Sequence, residues 1–245
     1  MRRAEVTRAH YPGTRVPDVR GPGYPGGMCA SYGLDPRFSD AELLAEQDAA
    51  LLEGLRSWAA ENAGETLRPT GRIARNLNPL VVPDGAGAAL QSAWWGHLVG
   101  GAPARYPSIN TRSERLRERS GALRRRAIVP ATAWFERRAS DRTWHEFGLG
   151  DGVLFGMAAV VQNGRTDDGA EFTCYSIVMR DAPARLAGVH DRMPVLVPAA
   201  FAGDWLHSAQ GPDTLEEALR AAAGLDDRVT ATERPDDKGE PDRLF

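Results

Sequence analysis

Val153-Leu-Phe-Gly-Met-Ala-Ala-Val-Val-Gln162, Asn163-Gly-Arg-Thr-Asp-Asp-Gly169 and Phe172-Thr-Cys-Tyr-Ser-Ile-Val-Met179 follow one another almost without a break. Two apolar runs flank a cluster of glycine, asparagine and aspartate, which is the pattern of a strand, a turn and a returning strand. Further short runs of strand type are Ala89–Trp95, Ala127–Phe135 and Pro194–Val197. Helical signals are fewer. Ser39-Asp-Ala-Glu42 has the form of a capping box, in which the serine hydroxyl and the glutamate carboxylate each satisfy a free N–H. Leu43, Leu44, Leu51, Leu55 and Trp58 follow at near-helical spacing, with Gly64 as a stop, and Thr214 to Ala223 reads as a second helix. No internal repeat is visible. These elements predict one α+β domain with mainly antiparallel strands.

The 245-residue chain is 42% hydrophobic and 26% charged, the composition of a soluble globular protein with room for a sizeable core. Its longest apolar run, Val153 to Val161, is about half of the ~20 residues a membrane helix needs. Arginines near the N-terminus have no apolar stretch behind them, so no secretory signal is read there. Two distant cysteines, Cys29 and Cys174, fit a reducing cytoplasm better than a disulfide framework. Residues 1–27 carry Pro12, Pro17, Pro22 and Pro25 among many glycines and arginines, and such a leader cannot build a core. The expected layout is a leader over 1–27, a domain over 28–224 and an acidic tail over 225–245. The net charge of −3 conceals a segment from Arg105 to Arg142 with eleven arginines against four acids, an excess that suits an anionic partner such as nucleic-acid phosphate. A solvated face of paired charges would look the same.

Several side chains are candidates for chemistry. Met28-Cys29 closes the leader, and a cysteine at a true N-terminus would carry an amine and a thiol on adjacent carbons. Cys174, inside Phe172-Thr-Cys-Tyr-Ser-Ile-Val178, reads instead as a small buried hydrophobe. Glu136 ends the run Arg126-Ala-Ile-Val-Pro-Ala-Thr-Ala-Trp-Phe-Glu136, which puts a carboxylate at a strand end beside two aromatics. His190, in Gly188-Val-His-Asp-Arg-Met-Pro-Val195, lies in a loop between a short helical stretch and a strand, flanked by Asp191 and Arg192. In Ile109-Asn-Thr-Arg-Ser-Glu114, an extended backbone would send Asn110 and Arg112 to one face, a pairing suited to a phosphate-bearing ligand. Trp94-Trp95-Gly96 predicts one indole inward and one outward, the outer one a stacking platform for a base.

The order of these blocks is more telling than any one of them. Met28-Cys29, Asn76-x-x-Pro79, Trp95-Gly96, Ile109-Asn-x-Arg-Ser-Glu114, Arg126-Ala-Ile-Val-Pro-Ala-x-x-x-Phe-Glu136 and His190-Asp-Arg-Met-Pro-Val195 occur in sequence. The series resembles the SRAP family, the SOS response-associated peptidases, understood as proteins that cross-link to abasic sites in DNA. The likeness runs from Met28 to about Phe201. It departs from the family pattern at Ala30 and Ser31, where Gly-Arg is usual, at Arg137, where tryptophan is usual, and in Trp95-Gly-His-Leu-Val-Gly100, which lacks a proline.

The resemblance implies a curved sheet or barrel-like core with flanking helices. It implies that Met28 is lost and that Cys29 becomes residue one. The cysteine amine then forms an imine with the open-chain aldehyde of an abasic deoxyribose, and the thiol closes a thiazolidine. An α-amine pKa of ~7.7–8.0 and a thiol pKa of ~8.5 leave both nucleophiles usable near neutral pH. By the same resemblance Glu136 deprotonates the amine, His190 assists ring opening of the sugar, and Asn110 orients sugar and cysteine. Arg112 and Arg192 would hold flanking phosphates, and Trp94 or Trp95 would fill the space of a displaced base. The implied partner is single-stranded DNA with an abasic site, met by a cytoplasmic monomer that needs no metal or organic cofactor. Two other readings use the same residues: an N-terminal-cysteine amidohydrolase or peptidase, and a non-catalytic single-strand binder.

Overall fold

The longest apolar run of the sequence becomes the longest described strand, and the remaining elements are arranged about the hairpin it forms. The computed structural model describes residues 31–43, 48–62, 67, 77–99, 102–118, 123, 125–165, 171–208 and 212–234. Along the first half run β1 (Tyr32–Gly33), β2 (Asp40–Glu42), α1 (Ala49–Asn62), β3 (Leu77–Asp84), β4 (Gly87–Trp95), β5 (His97–Val99), β6 (Ala102–Ser108), β7 (Asn110–Arg112) and α2 (Ser113–Glu118). There follow β8 (Arg126–Ala131), β9 (Ala133–Arg137), β10 (Trp144–Gly148), β11 (Val153–Arg165), β12 (Glu171–Asp181), α3 (Ala184–Ala187), β13 (Arg192–Pro194) and β14 (Leu196–Val197). The chain then forms α4 (Ala199–His207), α5 (Pro212–Ala223), a 3-10 turn at Asp226–Arg228 and β15 (Thr230–Glu233).

β11 and β12 pair antiparallel from Ala159 opposite Ile177 to Arg165 opposite Glu171, so the hairpin is as the sequence predicts. β11 takes β8 on its other side, with Met157 opposite Val129. β8 meets β3 at Val81 and Ile128, and β3 pairs with β4 along its whole length. β4 then returns to β12 in parallel, Trp94 beside Cys174 and Trp95 beside Tyr175. The strand ring β12-β4-β3-β8-β11 thus closes on itself, giving the barrel-like core. Its buried side chains include Leu80, Trp95, Ile128, Met157, Tyr175 and Val178. Strands buried all round read as unbroken apolar runs, which is why Arg126–Ala131 has no polar alternation. β4 needs glycine opposite it on α1: a Cβ on Gly54 would lie 2.9 Å from Leu90 Cδ1. Among the described residues no helix is long and apolar enough to cross a membrane.

Two expectations are corrected. Ser39 to Glu42 is not a capping box, because Asp40–Glu42 pairs in parallel with Val153–Phe155 as a strand. The helix starts later, where the Asp48 carboxylate accepts the N–H groups of Ala50 (2.8 Å) and Leu51 (3.3 Å). The run Ala127–Phe135 is two strands, not one. At Thr132 the chain leaves the barrel for a second sheet, ordered β1-β9-β10-β15. The Thr132 N–H donates to Gly33 O (2.7 Å) and its hydroxyl accepts from the Asp35 N–H (3.0 Å), which fixes the bend. Within the segment from 225, Thr230–Glu233 forms β15, whose Ala231 and Glu233 pair with Phe147 and His145.

The run Pro194–Val197 starts earlier, at Arg192, and works on two strands at once. β13 pairs with β12, and β14 pairs with β11. Between them Val195 donates to Val178 O and accepts from the Ala158 N–H, both at 2.8 Å. This double attachment holds the loop before it, which carries His190, against the barrel end.

Candidate active site

Glu136 reaches its place because of the bend at Thr132. On β9 its side chain falls on the same face as Trp134, which packs on Phe147 and Phe155 inside the fold. The carboxylate is therefore buried, only 3% exposed, and its Oε1 has no hydrogen-bond partner among the described residues. Loss of water drives its pKa well above the ordinary carboxylate range, and the like charge of Asp191 pushes the same way.

The group facing it is His190. Its Nε2 lies 3.9 Å from Glu136 Oε2, just beyond direct hydrogen bonding. α3 supplies the approach: a single turn, anchored by buried Leu186, whose carbonyl accepts the His190 N–H at 3.3 Å. The ring is turned by its own neighbour, because the Arg192 backbone N–H donates to His190 Nδ1 at 3.0 Å. The Arg192 carbonyl lies 3.0 Å from the same Nδ1, so this ring nitrogen accepts in one tautomer and donates in the other, while Nε2 faces the carboxylate. A buried carboxyl with a raised pKa facing an imidazole is an arrangement able to exchange protons with a ligand.

Cationic and polar groups lie around the end of β12. β7 runs parallel to it, with Asn110 opposite Ile177 and Arg112 opposite Met179. A hydrogen bond of 2.7 Å between the Thr111 and Ser176 hydroxyls fixes this register and leaves Asn110 and Arg112 on the other face. Arg112 is exposed and makes no ion pair or hydrogen bond with any described residue. β13 flanks β12 on the other side, and there Arg192 is paired: its Nη1 lies 2.7 Å from Glu114 Oε1 and 3.2 Å from Asp181 Oδ1. Partial burial opposes ionisation of Glu114, but the hydrogen bond from Arg192 prevails and holds its pKa below the ordinary value.

The two indoles separate. Trp95 is fully buried, donates to Ile109 O at 3.0 Å, and meets Tyr32 edge-on at 4.9 Å. Stacking on a base is closed to it. Trp94 is half-buried and lies across the ladder from Leu77, an exposed apolar side chain. Much of the basic segment is also spent on structure: Arg126 is buried against the carbonyls of Trp205, Leu123 and Ser208, and Arg137 stacks on Trp144 at 4.9 Å. Cys174 is buried, as expected. Cys29, Asn76 and the start of the domain lie outside the described residues. The described chain begins at Ser31, whose carbonyl accepts the Phe135 N–H at 3.0 Å, one residue from Glu136.

Sequence reasoning passed over Glu114 and Asp181 as partners of Arg192. It also missed the buried network in which Tyr32 and Tyr175 share a 2.9 Å hydrogen bond and Asn78 donates to Tyr175 at 3.2 Å. Among the described residues no group of His, Cys, Asp and Glu is arranged to hold a metal ion.

The sequence model of the SRAP family, described as SOS response associated peptidase, matches residues 28–233. The chain belongs to this family. The match extends past residue 224 to the end of β15, in step with the structure. The Bacillus subtilis (strain 168) protein named abasic site processing protein YoqW is 25% identical over 205 residues, covering 79% of this chain and 87% of that protein. The protein named abasic site processing protein YoaM, from the same organism, is 26% identical over 164 residues, covering 62% and 72%. A crystal structure from Bacteroides thetaiotaomicron superposes with a TM-score of 0.63 at 17% identity, over 85% of this chain and 93% of that one. One from Bordetella bronchiseptica gives 0.60 at 20% identity, over 84% and 100%. These two structures share the SRAP fold of the chain.

Proposed function

We propose that this SRAP protein processes abasic sites by joining an N-terminal Cys29 to the deoxyribose aldehyde as a thiazolidine. The observation that carries the reading is the buried Glu136 carboxylate facing His190, one residue from the strand contact that receives the N-terminal segment. In this reading Cys29, two residues before Ser31 and so within about 7 Å of chain from it, brings its amine to that carboxylate. The names of the Bacillus relatives support the substrate, and the family match beginning at Met28 supports a working chain that starts at Cys29.

The steps balance with the groups at hand. Glu136 accepts a proton from the α-ammonium, and the freed amine adds to the aldehyde carbon. The same carboxyl, now protonated, returns the proton to the carbinolamine hydroxyl, which leaves as water and yields the imine. A pKa lifted by burial favours uptake of that proton by the carboxyl. The imine forms protonated on nitrogen; the Cys29 thiol gives its proton to the Glu136 carboxylate, and the thiolate adds to the imine carbon and closes the ring with the nitrogen proton retained. His190 assists opening of the closed hemiacetal, giving a proton to the ring oxygen while the C1 hydroxyl loses its own to solvent and becomes the aldehyde. Exposed Arg112 and the β13 guanidinium of Arg192 hold phosphates on either side of β12, and Trp94 covers the base-free gap. The partner is single-stranded DNA, whose unpaired backbone can bend its sugar into the site, and a single copy of the chain suffices. The imine also permits slow β-elimination, a weak lyase activity.

The test is an oligonucleotide carrying one abasic site, incubated with protein whose mature N-terminus is established by intact mass, then boiled in detergent. A heat-stable product of thiazolidine mass is expected from wild type. Cys29→Ala should give none while keeping near-normal DNA binding, because phosphate contacts supply most of the affinity. A salt-sensitive mobility shift with no covalent product would make the protein a binder. Cleavage of a peptide ester instead would make it a hydrolase.

A further inference from the structure

We infer that Glu114 is a positioning residue that presets Arg192 as a phosphate fork, an inference that rests on the abasic-site reading above. Glu114 lies in the first turn of α2, which directly follows β7, and Arg192 opens β13 on the far side of β12. The pair therefore spans the barrel end from one flank to the other. Glu114 Oε1 accepts from Nη1 of Arg192 at 2.7 Å, and the exposed Asp181 carboxylate approaches the same Nη1 at 3.2 Å. Both acids use one amino group. The Nε and Nη2 edge of the guanidinium makes no hydrogen bond to any described residue, and two parallel N–H donors on one edge are the geometry that grips two oxygens of a phosphate.

A carboxylate in this place has two opposite consequences, and the geometry selects between them. If it occupied the donor edge, it would compete with the phosphate as an internal mimic. Held at Nη1, it leaves the edge open and removes rotational freedom from a long side chain that is otherwise costly to order. The Arg192 backbone N–H also orients the His190 ring, so DNA held by this fork is registered against the residue that opens the sugar. The pair thus ties the place of the phosphate to the place of the aldehyde.

The sign of one substitution separates this from simple electrostatics. Removing an acid near a polyanion should tighten DNA binding by reducing repulsion. Glu114→Gln keeps the size and a hydrogen-bond acceptor but loses the charge, and it should instead raise the DNA concentration for half-maximal cross-linking by about three- to tenfold. The first-order rate at saturating DNA should stay within about twofold. In an Arg192→Ala background the same substitution should have no effect on half-saturation, since the group it positions is gone. Glu114→Asp, which retains the charge, should recover part of the loss. Unchanged or tighter binding by Glu114→Gln, an equal loss in the Arg192→Ala background, or a larger fall in saturated rate than in affinity would each overturn the assignment. If wild-type protein forms no cross-link at all, the function is wrong. If it does and these variants fail the pattern, only the role of Glu114 is.

Discussion

Glu136→Gln should make the protein more stable above neutral pH while making it slower. In the folded state burial holds the Glu136 pKa well above that of the unfolded chain. Between those two values the folded state binds the extra proton, so its stability is full below the unfolded value near 4.5 and declines as pH rises towards the folded one. Asp35 and Glu42 act in the other direction, held low chiefly by hydrogen bonds from Arg37 and Arg228, and their contribution is lost only as pH falls below the ordinary carboxylate range. The two windows do not overlap, and a wild-type-minus-variant difference isolates Glu136. The size follows from the buried charge that the neutral amide does not carry, since desolvating an unpaired buried group costs about 1–3 kcal/mol. For a chain of this length each 1 kcal/mol moves Tm by about 2–4 °C, so the variant should melt roughly 2–10 °C higher at pH 8 and close to wild type at pH 4. Its cross-linking rate should fall, by less than the ~10²–10⁴ typical of lost acid–base catalysis, because an N-terminal cysteine reacts with aldehydes unaided. Calorimetry across pH 4–8 and a gel time course measure the two. A variant that melts lower than wild type at pH 8, or that shows the same slope with pH, refutes the argument from desolvation.

Other substitutions probe the remaining assignments. His190→Ala should slow reaction with the natural ring-closing lesion yet spare a small aldehyde that has no ring to open; equal slowing on both would reduce the histidine to a structural support. Trp94→Ala should weaken single-stranded DNA binding by about 1–3 kcal/mol with little change in Tm, whereas Trp95→Ala should cost about 3–5 kcal/mol of stability, both read by fluorescence titration and thermal melting. Gly156→Ala places a methyl 2.6 Å from Ile128 Cγ2 and 3.3 Å from Leu43 Cδ1, so denaturant unfolding should show a loss of about 1–3 kcal/mol.

Apolar runs exposed β4, β8, β9, β11, β12 and β14 because an apolar run is a local property, while β3 and β10 passed unread. The hairpin of β11 and β12, the run of β4 and the helix α5 all announce themselves in contiguous residues. What stays hidden is any decision made by distant partners. Ser39-Asp-Ala-Glu42 satisfies every local condition of a capping box, yet β11 offers backbone partners to Asp40–Glu42, and a strand results. The bend at Thr132 is equally invisible, since it depends on Gly33 and Asp35 at the other end of the chain. That bend matters most for function, because a straight continuation of β8 would have carried Glu136 away from the sheet that receives the N-terminal segment.

The candidate site shows the same division between residue type and placement. Glu136, His190, Asn110, Arg112 and Arg192 stand out as polar groups at the ends of apolar runs, and a family likeness can gather them into one list. Only the fold separates their circumstances. Arg112 is open to a ligand, and Arg192 is half committed to Glu114 and Asp181. Arg126, with the same side chain, is sealed among three carbonyls. Three arginines that count equally in a net charge thus do three different things. The raised pKa of Glu136 has the same origin: it comes from Trp134 and the barrel wall excluding water, and from Asp191 arriving 55 positions later in the chain. The Glu136 pKa is raised because the fold removes its solvent without giving Oε1 a partner among the described residues, a condition that residues far apart in the chain create together.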